Sequence, residues 1–219
     1  MIAENLDLVL KSIPSNVALV AVSKTKPKED IVSAYQAGQR HFGENKVQEL
    51  AEKWEALPKD ICWHAIGHLQ TNKVKYIAEF VHLIHAVDSL KLLNEINKQA
   101  LKHNRVIDCL LQFHIAKEST KFGLDETESC ALLESEAYSS LQNIRIVGVM
   151  GMATFTSDQN QIVIEFNNLE STFIRLKGSY FSNEPSFKEI SMGMSGDYQL
   201  AIDCGSTLVR VGSKIFGTR

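Results

Sequence analysis

The feature that most constrains this chain is its rhythm: short apolar runs alternate with amphipathic stretches from one end of the 219 residues to the other. The run Val17-Ala18-Leu19-Val20-Ala21-Val22 is uncharged and β-branched, the composition of a strand buried on both faces in a parallel sheet. The same pattern predicts strands at 17–23, 40–43, 61–66, 82–87, 106–113, 144–150, 188–191 and 207–211. Helices are predicted at 2–11, 27–36, 46–54, 72–80, 90–102, 126–138 and 159–177. Pro27 suits a first helical turn, Gly38 a helix stop, and Asp88-Ser89 an N-cap for the helix at 90–102. About eight βα units in unbroken order predict an α/β fold, a single (β/α)8 TIM-type barrel with an extra N-terminal helix. The barrel is expected to occupy residues 1–219 as one domain, with brief loops and no room for a second. A doubly wound open sheet would need a glycine-rich fingerprint after the first strand, and Ser23-Lys24-Thr25-Lys26-Pro27 is not one.

Bulk properties narrow the function classes. A hydrophobic fraction of 44% and a charged fraction of 22% are those of an ordinary soluble protein. A formal net charge of -3 gives no reason to expect a nucleic-acid or acidic-membrane partner. No apolar run is long enough to span a bilayer, and Met1-Ile2-Ala3-Glu4-Asn5 lacks the features of a signal peptide, so a cytoplasmic location is expected. Cys62, Cys109, Cys130 and Cys204 are scattered and form no CxxC pair, which predicts reduced thiols. His64 and His68, like His82 and His85, are closely spaced, but His64 and His82 fall in strands. No metal site is expected from them.

Lys24 is the first charge after the opening strand, at the carboxyl end where barrels place their chemistry. Partial burial there disfavours the ammonium and frees an amine to attack a carbonyl; the alternative is a lysine that simply extends into water beside Lys26 and Lys28. Near the other end stands Gly205-Ser206-Thr207-Leu208-Val209-Arg210-Val211-Gly212-Ser213. Hydroxyls and backbone N–H groups around a barrel's last strand suit a phosphate, although each glycine-serine pair also reads as a plain turn. Arg210 is a lone cation in an apolar strand and needs either a carboxylate or an acceptor on a ligand. An amine for an aldehyde, donors for a phosphate and a cation for a ring nitrogen together match pyridoxal 5′-phosphate (PLP).

Ala21-Val22-Ser23-Lys24-Thr25-Lys26-Pro27, His41-Phe42-Gly43-Glu44-Asn45 and Ile66-Gly67-His68-Leu69-Gln70-Thr71-Asn72-Lys73 resemble the pyridoxal phosphate homeostasis protein family. So do Ser191-Met192-Gly193-Met194-Ser195 and the stretch from Gly205 to Gly212 with Ile215-Phe216-Gly217. The resemblance implies a barrel like the amino-terminal domain of alanine racemase, with Lys24 holding PLP as a Schiff base. It implies phosphate contacts from Ser206, Thr207, Gly212 and Ser213, with Arg210 facing the pyridine nitrogen. Asn45 would line the pocket, and Ser191 and Met194 would lie on its ring or phosphate side. Many family members carry Val-Asn where this chain has Phe113-His114, which leaves the polar lining there open.

The implied role is that of a carrier and regulator of intracellular vitamin B6, with transient contacts to apo-PLP enzymes, no nucleic-acid or membrane partner, and a monomeric state. A small PLP-dependent amino-acid racemase is the alternative. It would need a second acid/base group, and Tyr35, Tyr76, Tyr138, Tyr180 and Tyr198 are not placed by spacing to supply one. A cofactor-free lysine aldolase is a third option. Glu44 suits either orienting a neighbour or capping the helix after it, Met150, Met152, Met192 and Met194 suit rim packing, and His114, Lys117, Glu118 and Lys121 suit a solvated helix start better than a set of pocket groups.

Overall fold

Eight parallel strands follow one another around a closed barrel: β1 (Ala18–Val22), β2 (His41–Glu44), β3 (Cys62–Ala65), β4 (Leu83–Val87), β5 (Ile107–Gln112), β6 (Ile144–Met150), β7 (Glu189–Met194) and β8 (Leu208–Val211). The computed structural model describes residues 1–117 and 122–218. The expected helix start at Glu118 and Lys121 therefore lies outside the described residues. Closure is made by β1 against β8, with Ala18 opposite Leu208 and Ala21 opposite Val211. This pairing sets the chain's first and last strands side by side.

The helices are α1 (Ile2–Lys11), α2 (Lys28–Gln36), α3 (Val47–Ala56), α4 (Leu90–Lys102), α5 (Glu126–Leu133), α6 (Glu136–Ser139), α7 (Gln159–Ser179), α8 (Tyr198–Asp203) and α9 (Ser213–Phe216). A 3₁₀ segment spans Thr71–Tyr76. Helix α4 shows why the long ones form. Leu92, Leu93, Ile96 and Ala100 make one buried face at helical spacing, and Ser89 Oγ accepts from the Leu92 N–H at 3.3 Å to cap its start. Each large apolar side chain buried this way contributes about 1.5–3 kcal/mol. The main core lies between sheet and helices, and a smaller one of Val20, Leu83, Ala86, Leu110, Val147, Met150 and Leu208 fills the barrel.

Departures from the sequence expectation have local causes. The expected helix at 126–138 is two, because Ser135 leaves α5 by bonding Leu132 O and then caps α6 through the Tyr138 N–H. The expected helix at 72–80 is only the 3₁₀ segment. Two elements were not foreseen: α8 and α9 each lie beside β8 and are too short to show a helical period. All four cysteines are free. Among the described residues no helix is long and apolar enough to cross a membrane.

Candidate functional site

At the carboxyl ends of the strands lies a cavity of about 530 Å³. Lys24 enters it just after β1, Asn45 after β2, Gly67 and His68 after β3, and Gln112 from the end of β5. Met194, Ser195, Gly196 and Asp197 follow β7, while Arg210 rises from β8 and Gly212 and Ser213 follow it. Residues distant in the chain meet here because the barrel closes. Gly212 sits so close to β1 that a Cβ on it would stand 2.9 Å from the Val22 carbonyl oxygen.

Lys24 is half-buried, and its amine makes no hydrogen bond or ion pair among the described residues. The turn that presents it is held firmly. Thr25 takes φ at 64°, in the left-handed region a threonine rarely adopts, and its N–H donates to Glu49 Oε1 at 2.6 Å. Beneath, Ser23 Oγ donates to Glu44 Oε1 at 2.6 Å, and the buried Lys53 ammonium donates to the same oxygen at 2.7 Å and to the Ser23 carbonyl at 2.8 Å. Glu44 therefore orients neighbours and does not cap α3, whose N-cap is Lys46. Burial pushes the Glu44 carboxyl up, against the pull of Lys53 and Ser23.

Arg210 is buried at the cavity floor. Its guanidinium donates to Ser191 Oγ and, at 3.1 Å, to the Gly151 carbonyl. Among the described residues no carboxylate stands within ion-pair distance of it. Burial lowers its pKa to about 10, partly offset by Asp197, so it is a cation at neutral pH. Opposite, Ser195 and Gly196 donate no backbone N–H to a backbone carbonyl among the described residues, and Ser195 Oγ accepts from the Gly212 N–H at 3.1 Å. Successive free N–H groups in such a turn form a concavity suited to an anion.

Three comparisons bear on this arrangement. The family model for the alanine racemase N-terminal domain matches residues 1–219. A pyridoxal phosphate homeostasis protein of Vibrio alginolyticus is 39% identical over 211 residues, covering 94% of this chain and 88% of the relative. The chain belongs to the pyridoxal phosphate homeostasis protein family. Structures of PipY from Synechococcus elongatus, without and with PLP bound, are 36% identical and superpose with TM-scores of 0.92 and 0.89, covering 99% of this chain and 100% of each of those. Alanine racemase from Bartonella henselae, 19% identical with a TM-score of 0.73 over 100% of this chain and 62% of that one, shares the barrel fold.

Of the residues the motifs single out, Lys24, Asn45, Met194, Arg210, Gly212 and Ser213 line this cavity. Ser191 does not; it is buried behind Arg210 and bonded to it. Ser206 and Thr207 do not reach the cavity either. They precede β8, roughly 16–20 Å along the strand from Gly212. Ser206 Oγ donates to the Met192 carbonyl at 2.8 Å, while Thr207 Oγ1 donates to Glu189 Oε2 at 2.7 Å and accepts from the Ile190 N–H at 2.8 Å. Both hydroxyls tie β7 to β8 and are not offered to a ligand at the mouth. Phe113 is buried and His114 exposed, and among the described residues on that side Gln112 supplies polar lining. Sequence reading missed Ser195 and Gly196, although the Ser-Met-Gly-Met-Ser motif that ends at Ser195 pointed to the right strand end.

A second cavity, of about 480 Å³, lies at the amino ends of the strands and is lined in part by His41, His64, His82, Asp108 and Arg145. There His41, Cys62 and His82 bring potential ligand atoms within 4.8 Å of one another.

Proposed function

We propose that this barrel holds PLP through Lys24 and serves vitamin B6 homeostasis as a carrier and regulator rather than as a racemase. The observation that carries the reading is the convergence of three complementary groups on one cavity. Among the described residues, Lys24 supplies an amine without a partner, Arg210 a buried cation without a carboxylate in ion-pair range, and Ser195, Gly196 and Ser213 the backbone donors for a phosphate, with Gly212 letting the turn lie close. The cavity's volume falls in the range that encloses a small cofactor. Bound PLP brings an aldehyde and an electron-accepting ring. The Lys24 amine captures the aldehyde with loss of water. Arg210 donates a hydrogen bond towards the ring nitrogen and so disfavours its protonation, which weakens the ring as an electron sink.

The lining of the cavity supports carriage over turnover. Among the described residues, none that lines the cavity is a tyrosine; of its other titratable groups, Asp197 accepts from the Met194 N–H at 2.6 Å and His68 faces Asp88 at 3.5 Å. Tyr198 is buried, with its hydroxyl 2.8 Å from that of Ser12 on α1, and so is turned away from any substrate. Racemisation needs proton transfer on both faces of the substrate α-carbon, and Lys24 could serve only one.

The test is the absorbance of protein loaded with PLP. A band near the edge of the visible, present in the native chain and absent in Lys24→Ala, supports the reading. Its equal presence in both overturns the assignment of Lys24. Negligible turnover of either alanine enantiomer is expected, and robust racemisation would restore the enzyme reading.

A further inference from the structure

Beneath Arg210 a line of hydrogen bonds crosses the barrel. Ser191 Oγ, which accepts from the guanidinium, lies 2.9 Å from His85 Nδ1. His85 Nε2 lies 2.9 Å from His64 Nδ1, and His64 Nε2 lies 2.9 Å from His41 Nδ1. The bond from His85 on β4 to Ser191 on β7 joins strands that are not neighbours, so the line runs through the barrel interior. Ser191, His85, His64 and Arg210 are all buried, whereas His41 lines the cavity at the opposite end. Hydrophobic side chains would fill this space at less cost than four polar ones. Its polar content calls for a purpose.

The direction of the line follows from its first member. A guanidinium can only donate, so Ser191 Oγ accepts from Arg210. Ser191 is fully buried, and its own proton needs an acceptor; His85 Nδ1 is the remaining side-chain partner among the described residues. His85 then carries its proton on Nε2 and donates to His64 Nδ1. His64 in turn carries its proton on Nε2 and donates to His41 Nδ1. His41 ends as a donor at its remaining nitrogen, beside the lower cavity. The reverse direction would leave a buried hydroxyl proton without an acceptor, at a cost of desolvation with no compensation.

We propose that Ser191, His85, His64 and His41 form a one-way hydrogen-bond relay, polarised by Arg210, that positions the guanidinium at the cofactor cavity and ties it to the cavity at the barrel's other end. The purpose, though not the polarity, rests on the reading of Arg210 as the group facing PLP. The three histidines are positioning residues that act through Arg210 and do not touch the cofactor. His82, Cys62, Asp108, Arg145, Lys188 and Glu189 surround the outer end, and Arg210 stands at the inner one. A proton added to His85 would turn its Nδ1 into a donor facing Ser191 and break the line at the link nearest Arg210.

Two measurements test this. Two-bond ¹⁵N–¹H correlation spectra of the cofactor-free chain report which imidazole nitrogen bears the proton. His41, His64 and His85 are expected as neutral Nε2–H forms, and Ser191→Ala is expected to release His85 into a tautomer mixture. Any one of the three found with its proton on Nδ1 in the native chain overturns the relay, whether or not PLP binds. The second measurement uses His64→Gln, two links from Arg210 and outside the cofactor cavity, with Ser191→Ala as the direct break. Each should release PLP about five times faster than the native chain and shift the pH profile of the bound-cofactor band. The double variant should release it no faster than the worse single one. Release and pH profile unchanged in a folded His64→Gln would show that the line does not position Arg210. Failure of the native chain to take up PLP would instead overturn the functional reading, leaving the tautomers to decide the relay.

Discussion

At the scale of single residues, the site depends on close approach as much as on charge. A methyl group on Gly212 would meet the Val22 carbonyl oxygen at 2.9 Å and the Val22 Cβ at 3.2 Å. Gly212→Ala should therefore push the last turn away from β1, and PLP uptake followed by absorbance should weaken by about tenfold while the fold persists. An unchanged affinity would remove Gly212 from the phosphate side. Arg210 drew notice in the sequence because a lone cation inside an apolar strand needs a partner, whereas Lys24, at a strand end where a charge is ordinary, drew it only together with the motif around the last strand. Ser206 and Thr207 were misleading for the opposite reason. Hydroxyls near a strand carry no sign of which end of it they occupy, and theirs is the amino end. His64 and His85 were read only as rejected metal ligands, since contacts between β3, β4 and β7 exist only once the barrel closes.

At the scale of elements, strand pairing is the sensitive joint. Gly148 on β6 lies so near β7 that a Cβ would stand 1.8 Å from the Glu189 carbonyl oxygen, less than any real contact allows. Gly148→Ala should part the two strands. Urea denaturation is expected to show a loss of more than about 3 kcal/mol, or no folded protein at all. On the helix side, Leu93→Ala in α4 should cost about 2–5 kcal/mol by leaving a hole in a fully buried face. A loss under about 1 kcal/mol in the same assay would mean that this face does not pack as described. The strands and long helices were readable because their burial repeats at their own period, as with Leu92, Ile96 and Ala100. The 3₁₀ segment, α8 and α9 were not, since four to six residues hold too little of a period to distinguish helix from turn.

For the whole molecule, the buried imidazoles make stability depend on pH. Burial holds His64 and His85 well below the ordinary imidazole value of 6.5, reinforced in His85 by Arg210, and burial with His82 lowers His41. Above 6.5 the imidazoles are neutral in both folded and unfolded chains, and their contribution is fully present. As pH falls below that value the unfolded chain takes up protons that the folded one refuses, so the contribution is progressively lost. Glu44, raised by burial, works in the other direction at lower pH. The melting temperature should therefore fall by several degrees between about pH 7.5 and pH 6, and His64→Gln should flatten that slope. A flat profile in the native chain would contradict neutral buried imidazoles. The barrel itself was the most legible level of all, because eight repeats of one strand-helix alternation leave few other ways to close.

Borohydride reduction of the PLP-loaded chain, followed by peptide mass mapping, asks the central question most directly. It fixes any lysine-bound cofactor where it sits. The account predicts a single pyridoxyl group on the peptide that contains Lys24. The same group on Lys53, Lys26 or another lysine, or no group at all after saturation with PLP, would contradict it.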